Sequence, residues 1–190
     1  MTRLRRFLPL LATLFALALA RAEEPAVRVV SQTVGTDELL LALAGPGQIA
    51  CLSHLAREPQ FSAVAGEAGA YPMLDRGDAE TILKYRPTLL LAADYSRLEL
   101  VEQIRRAGVK VVLITRYHTL DDAFANLRML AAELGGEAPA KAEAIIADCT
   151  RRVAALDARL KGVKPVRVIA PSTYGVIAGA GTTFADLCEH

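Results

Sequence analysis

Polar and aromatic side chains that could hold a small molecule follow three predicted strands, at the point where each strand ends. They are His54, Asp94, Tyr95, Arg97, Arg116, Tyr117 and His118. A neutral imidazole is a common metal ligand, a guanidinium pairs with carboxylates, and a tyrosine ring offers a flat apolar face with a polar tip. Taken singly, the usual fate of each is a solvated loop side chain. Their shared position, where open α/β sheets bind ligands, predicts a capture site.

Two weaker features complete the set of candidate residues. Tyr71 lies in the long polar connection between residues 54 and 76, and is a further candidate for ligand contact. His54 has an alternative role as a structural loop histidine that is hydrogen-bonded to the backbone. Asp121 and Asp122 are predicted to lie in the first turn of a helix, where their negative charges interact favourably with the helix dipole. This interpretation is favoured over a metal site.

The sequence favours binding over catalysis. The glycine-rich run 175–183 lacks the Lys that a phosphate-binding loop needs before its Thr. No Ser-x-x-Lys, Gly-x-Ser-x-Gly or His-Glu-x-x-His motif occurs. Ser53 is a hydroxyl beside His54, but no third member of a nucleophile–base arrangement is evident. We therefore expect no enzyme activity, no resident cofactor and no metal site, with a hydrolase on a similar α/β sheet as the alternative.

The amino terminus has the composition of a cleavable export signal, predicted to cover residues 1–22. Three arginines among the first six residues precede an apolar run, 7–19, and a small-x-small cleavage site, Ala20–Ala22. The run is shorter than the roughly 20 residues that a membrane span needs, although an uncleaved anchor is the alternative. We expect the mature chain in a Gram-negative periplasm or outside the cell.

Charge and cysteine content narrow the possible partners further. The net charge is +1 and the sequence has no Trp, so neither a basic surface nor a stacking platform for nucleic acid is predicted. Cys51 falls in an apolar strand and Cys149 in a long helix, and both are expected to be buried and unpaired. Whether Cys188 has a disulfide partner is left open by the sequence.

Four strand–helix units predict an α/β lobe with a parallel, Rossmann-like sheet over residues 27–134. The strands are predicted at 27–31, 49–52, 88–92 and 109–114, and the helices at 37–45, 78–86, 97–107 and 120–134. The predicted helix caps are Thr36 or Asp37, then Asp78, Ser96 and Thr119. Strand 88–92 is a continuous apolar run, which is typical of a parallel strand that is buried on both faces.

A long connecting helix and the start of a second lobe are predicted after residue 134. The connecting helix covers 137–162, with an apolar stripe that includes Ala142, Ile146 and Val153. Residues 166–190 should begin a second α/β lobe that is incomplete, with a strand at 166–170. Further elements of that lobe are predicted as a strand at 174–178 and a helix at 183–187.

Three blocks and the order of the elements resemble a known family. The blocks read VRVVSQTVGTDELLLALAG, GDAETILKYRPTLLLAADY and LVEQIRRAGVKVVLI, and they precede a helix, a long helix and a fresh strand. This pattern is similar to the periplasmic binding proteins of ABC importers for iron chelates, heme and cobalamin. The chain departs from the family at Thr88, where Asp is usual, and at 32–34, where Ser-Pro-Ser is frequent. It is also shorter than most members and looks truncated in the second lobe.

The resemblance implies an exported solute-binding component that passes its ligand to a membrane permease. The ligand would be a ferric siderophore, heme or cobalamin, and His54 could coordinate the iron of heme or the cobalt of a corrinoid. Arg97 and Arg116 could pair with carboxylates of such a ligand. Glu80 matches an acid that docks against arginines of the ABC permease, although a solvated carboxylate is its ordinary fate. A truncated, non-transporting interaction module is the other alternative.

Overall fold

A single parallel sheet organises the part of the chain that positions the candidate site. The computed structural model describes residues 27–45, 47–172, 175–176 and 179–189, so the export signal expected at 1–22 lies outside the described residues. The strands are β1 (Val29–Ser31), β2 (Ile49–Cys51), β3 (Leu89–Ala93) and β4 (Lys110–Ile114), and all their pairings are parallel. Their order across the sheet is β2–β1–β3–β4.

Helices connect these strands and cover both faces of the sheet. They are α1 (Val34–Leu43), α2 (Ala65–Ala68), α3 (Ala79–Lys84), α4 (Leu98–Arg106) and α5 (Leu120–Leu134). The structure thus confirms the predicted α/β class with a parallel sheet. The chain leaves β2 and crosses to β3 on the other side of β1. The carboxyl ends of β1 and β3 therefore form a topological switch point, where such sheets bind ligands.

Alternating side chains of the strands fill two cores, one on each face of the sheet. Leu89 and Leu91 point into the core under α1 and α5, whereas Leu90 and Ala92 point into the core under α3 and α4. The alternation follows from the two-residue period of a strand. All five residues of β3 are buried, as its continuous apolar sequence predicts.

Two of the predicted helix caps are confirmed. The Asp78 carboxylate accepts a hydrogen bond of 2.8 Å from the Thr81 amide at the start of α3. The Thr119 hydroxyl accepts one of 3.1 Å from the Asp122 amide at the start of α5. Each satisfies an amide that has no partner within its own helix.

The predicted caps of α1 and α4 are wrong. α1 begins one turn earlier than expected, because Thr33 has the extended backbone of a cap and its hydroxyl accepts from the Thr36 amide at 3.3 Å. Thr36 is therefore inside the helix and bonds back to the Thr33 amide at 3.1 Å. α4 is capped by Arg97 without a side-chain bond, because the Ser96 hydroxyl is engaged elsewhere.

The predicted long helix is present as α6 (Ala138–Leu160). Its buried residues are confined to its first half, at Ala138, Ala142 and Ile146, while Leu156 and Leu160 are exposed. An ion pair of 2.6 Å between Arg128 and Glu143 ties it to α5. No helix within the described residues combines the length and the apolar character that crossing a bilayer requires.

The carboxyl-terminal segment contains less regular structure than the sequence predicts. A short antiparallel pair, β5 (Pro171–Ser172) and β6 (Gly175–Val176), precedes helix α7 (Thr183–Glu189). The strand expected at 166–170 is absent, and Val166 is 81% exposed, because no described strand pairs with this segment. The strand expected at 174–178 lies partly outside the described residues. The domain limits remain predictions.

The three cysteines are free thiols in different environments. Cys51 is buried in β2, and burial raises the pKa of its thiol to about 11. It is therefore protonated at neutral pH and behaves as a small apolar core residue. Cys149 in α6 is only half-buried, and Cys188 in α7 is exposed.

Candidate functional site

A cavity of about 420 Å³ opens at the carboxyl edge of the sheet, over the ends of β1, β3 and β4. It is lined by Thr33, Gly35, Thr36, Leu39, Ala93, Tyr95, Ile114, Tyr117, Thr119, Ala123, Asn126 and Thr183. None of these lining side chains carries a charge. The volume lies within the range of about 300–1,000 Å³ that small-molecule pockets occupy, and the position is the switch point of the sheet.

The wall that follows β1 is built from hydroxyl groups fixed by one another. The Thr36 hydroxyl lies 2.7 Å from that of Ser31 and 2.9 Å from that of Thr33. Beside them, a Cβ atom added to Gly35 would meet no atom within 4 Å. The backbone at Gly35 therefore faces open space, and a ligand can approach it closely.

The opposite wall carries two tyrosines from the loops after β3 and β4. Tyr95 is 70% exposed and Tyr117 is 43% exposed. The Tyr117 hydroxyl donates a hydrogen bond of 3.1 Å to Asp94, and this bond raises the pKa of the phenol above its ordinary value. The ring of Tyr117 also lies 5.0 Å from that of His118. Two exposed rings thus flank an uncharged cavity.

A side-chain bond joins the loops on either side of the switch point. The Ser96 hydroxyl donates to Gln32 Oε1 at 2.8 Å and accepts from the Ala93 amide at 3.3 Å. The backbone amide of Gln32 donates to the Leu91 carbonyl at 3.0 Å. The loop that carries Tyr95 is therefore held against the end of β1.

Arg116 is turned toward the start of α5. Its guanidinium lies 2.7 Å from Asp122 Oδ1, and its carbonyl accepts a bond of 2.7 Å from the Asn126 side chain. Asp122 also accepts from the His118 amide at 3.1 Å. The His118 amide and then Arg116 lower the pKa of Asp122. Asp122, predicted only as a first-turn acid, therefore fixes the loop behind Tyr117.

The predicted ligand contacts fall into three groups. Tyr95 and Tyr117 line the cavity, and Asp94 bonds to one of them. Arg97 and Arg116 are exposed beside it, outside the lining. The structure does not bring His54 and Tyr71 to the cavity.

His54 and Tyr71 lie on the far side of β1. His54 is exposed in the turn after β2, an edge strand of the sheet. Tyr71 is half-buried, and its ring packs on the core under α1 and α5. The Arg57 guanidinium donates to the backbone carbonyl of Tyr71. Contact of either residue with a ligand remains a prediction.

The predicted docking acid is exposed on α3. Glu80 forms an ion pair of 3.1 Å with Lys84 one helical turn later. Such exposed pairs contribute little to stability, about 0–1 kcal/mol, so the carboxylate is free to exchange partners. Its docking role remains a prediction.

Several lining residues escaped the sequence analysis. Thr33, Gly35 and Thr36 belong to the turn after β1, and the strand-end rule that selected Tyr95 should have selected them. Asn126 carried a different signal, since it is a buried amide among the apolar residues of α5. Thr183 lies more than sixty residues after Tyr117 in the sequence. No pattern near Thr183 indicated that it would line this cavity.

The described residues contain no group of three or more His, Cys, Asp or Glu side chains that could hold a metal ion.

The sequence profile of the periplasmic binding proteins matches residues 29–190, most of the chain. The chain belongs to the periplasmic binding protein family. This confirms the family resemblance seen in the sequence blocks. No curated protein matches the chain significantly by sequence.

Solved structures of the same fold include periplasmic proteins that bind heme or vitamin B12. A periplasmic heme-binding protein from Pseudomonas aeruginosa shares 25% identity over 73% of this chain, with a TM-score of 0.58. The heme-binding protein RhuT of Roseiflexus sp. RS-1 shares 22% over 87%, with a TM-score of 0.63. The vitamin B12-binding protein BtuF of Vibrio cholerae shares 18% over 80%, with a TM-score of 0.61. The chain spans 50%, 64% and 58% of these three proteins, respectively.

Proposed function

We propose that this chain is the solute-binding component of an ABC importer and that it captures a metal chelate at the cavity over β1, β3 and β4. The observation that carries the proposal is an uncharged cavity, flanked by two exposed tyrosines, at the switch point of the sheet. Membership of a binding-protein family supports capture without chemical conversion.

The chemistry of the lining favours heme or cobalamin over a highly charged ferric siderophore. Tyrosine rings and aliphatic side chains suit a large flat ligand, and the threonine hydroxyls can bond to its polar edge. Burying the charge of an anionic chelate without a cationic partner would be costly. Arg97 and Arg116, exposed beside the cavity, remain available to carboxylates at the rim of a ligand.

Titration of the chain with hemin, cyanocobalamin and a ferric siderophore tests this proposal. We expect one-to-one binding of hemin or cyanocobalamin, followed by absorbance, and no comparable binding of the siderophore. Tyr95→Ala and Tyr117→Ala should each weaken binding by up to about ten-fold, since an aromatic contact contributes about 0.5–1.5 kcal/mol. Phe61→Ala is the control, because Phe61 is 62% exposed and lies outside the cavity. Equal effects in all three variants would contradict the proposed site.

Capture would take place in the periplasm, after export and removal of residues 1–22. This location is supported by the periplasmic heme- and vitamin B12-binding proteins that share the fold. The intact mass of the protein recovered from the periplasmic fraction gives a direct test. We expect a mass that corresponds to loss of residues 1–22, and recovery of the uncleaved chain in the membrane fraction would contradict it.

A further inference from the structure

Helix α7 lies at the mouth of the cavity and is attached there by two hydrogen bonds. The Thr183 hydroxyl lines the cavity and donates to the Tyr117 carbonyl at 2.8 Å. The Asp186 carboxylate accepts from the Leu120 amide at 2.9 Å. The first bond ends on the short loop between β4 and α5, which carries one tyrosine of the cavity, and the second ends on the first residue of α5. α7 and the cavity wall are therefore directly connected.

The Asp186 bond occupies a position where an acceptor is strongly favoured. Leu120 is the first residue of α5, and an amide at that position has no partner within its own helix. A carboxylate at a helix amino terminus also interacts favourably with the helix dipole. The Asp186 side chain thus caps a second helix while belonging to α7.

Two polar contacts and only partial apolar packing attach α7. None of residues 183–189 is fully buried, with Leu187 61% exposed and Phe184 38% exposed. The helix is started by Thr182, whose hydroxyl accepts from the Ala185 amide at 3.2 Å. Because no side chain of α7 is fully buried, the bonds to Tyr117 and Leu120 should contribute strongly to holding α7 in place.

We propose that α7 is a latch on the cavity, closed by the bonds from Leu120 to Asp186 and from Thr183 to Tyr117. Release of the latch would open the mouth and let a bound ligand leave faster. The role in ligand retention rests on the capture function proposed above, whereas the latch itself does not.

The test removes the Leu120–Asp186 bond from either side. Leu120→Pro deletes the donor, and proline suits the first position of a helix. Thr119 already has the extended backbone (φ −133°, ψ 164°) that a residue before proline requires. Leu120→Ala is the matched control, because it keeps the amide. Asp186→Ala deletes the acceptor, and Asp186→Asn keeps an acceptor oxygen.

Hydrogen exchange of the amides in residues 183–189 reports the latch without any ligand. We expect about five-fold faster exchange in Leu120→Pro and Asp186→Ala than in their controls, the factor that corresponds to a typical cap of about 1 kcal/mol. The double variant should exchange no faster than the single ones, because both changes remove the same bond. Equal exchange in Leu120→Pro and Leu120→Ala would overturn the proposal, since neither change alters α7 itself.

Dissociation of hemin or cyanocobalamin, followed by stopped flow, tests the effect on the cavity. We expect about five-fold faster release from Leu120→Pro than from Leu120→Ala, by the same factor. Faster exchange in α7 with unchanged release would overturn the role of the latch at the mouth. If neither ligand binds the unaltered chain, the capture proposal fails, and the exchange result still decides whether α7 is held by this bond.

Discussion

Tyr117 donates a hydrogen bond of 3.1 Å from its hydroxyl to Asp94 Oδ1 and so joins the loop after β4 to the loop after β3. The two residues follow neighbouring strands of the sheet, at the same edge. One phenol therefore both lines the cavity and fixes the spacing of two of its loops. The ionisation of this phenol gives a direct measure of the contact.

We expect Asp94→Asn to lower the pKa of Tyr117 toward its ordinary value near 10. Asp94 raises this pKa, because its carboxylate stabilises the protonated phenol. The stability linked to this raised pKa is therefore complete near neutral pH and is lost as the pH rises through the raised value, above about 10. An absorbance titration of tyrosinate measures the shift, with Tyr117→Phe identifying the band. If the pKa of Tyr117 is the same in Asp94→Asn as in the unaltered chain, the hydrogen bond between these two residues is not formed.

A second prediction concerns the buried carboxylate beneath the loop after β2. Asp37 is fully buried and accepts from the Ser53 amide at 3.0 Å and from the Ser53 hydroxyl at 2.5 Å. Asp37→Ala should reduce the free energy of unfolding by about 1–3 kcal/mol, because it leaves a buried donor without a partner. Asp37→Asn keeps an acceptor for the Ser53 amide and should cost less. Urea unfolding of both variants measures the difference.

The same carboxylate predicts an unusual pH dependence. Burial raises the pKa of Asp37 above its ordinary value, even though the bonds from serine lower it. The folded state then binds a proton more readily than the unfolded state. Relative to Asp37→Asn, the unaltered chain should lose stability as the pH rises from about 4 through the raised pKa. The free energies of unfolding of the two proteins should be measured between about pH 4 and 7. If they change with pH in parallel, this prediction is contradicted.

The caps show what the sequence could and could not predict. Asp78 and Thr119 were predicted correctly because a cap bonds within four residues of its own position. Ser96 has the right type and place for a cap, but its hydroxyl bonds to Gln32, which is distant in sequence. Arg116 was expected to contact a ligand, which remains a prediction, but its ion pair with Asp122 was not predicted. Pairings of this kind depend on the packed sheet, and local pattern does not contain them.

The predicted strands are confirmed where the same lobe contains other strands that pair with them. β3 is a continuous apolar run, and both of its partners lie within the same lobe. Residues 166–170 have a similar apolar sequence, but no described strand pairs with them, and Val166 is exposed. Apolar character therefore indicates a tendency, whereas the strand itself requires hydrogen-bonding partners on at least one side.

A third prediction concerns the cap at the floor of the cavity. Thr119→Ala should lower the free energy of unfolding by about 1 kcal/mol, because the Asp122 amide loses its acceptor. Thr119→Ser keeps the hydroxyl and should remain close to the unaltered chain. Denaturant unfolding followed by circular dichroism makes the comparison. Equal losses in the two variants would mean that the methyl group, rather than the cap, stabilises this site.

A fourth prediction uses the open space beside Gly35. A leucine at this position would project into the cavity, since an added Cβ meets nothing within 4 Å. Gly35→Leu should therefore reduce binding of hemin or cyanocobalamin by at least about ten-fold without loss of folding, since helix propensity favours Leu over Gly. Gly66→Leu is the matched control, because it also faces open space but lies outside the cavity. Unchanged binding by Gly35→Leu would place the ligand elsewhere.

The last prediction addresses delivery to the permease. Glu80 on α3 and Glu102 on α4 are both exposed glutamates paired with a basic residue one turn later, at 3.1 Å and 3.4 Å. If Glu80 docks against permease arginines, Glu80→Lys should reduce ligand uptake by about ten-fold at low ionic strength, because a reversed rim charge slows association. Glu102→Lys carries the same charge change on another helix and should leave uptake near normal. Uptake of labelled ligand in cells that contain the permease measures both, with binding by the isolated variants as the control for folding. Equal loss of uptake in the two variants would mean that net charge, and not a docking contact at Glu80, sets the rate.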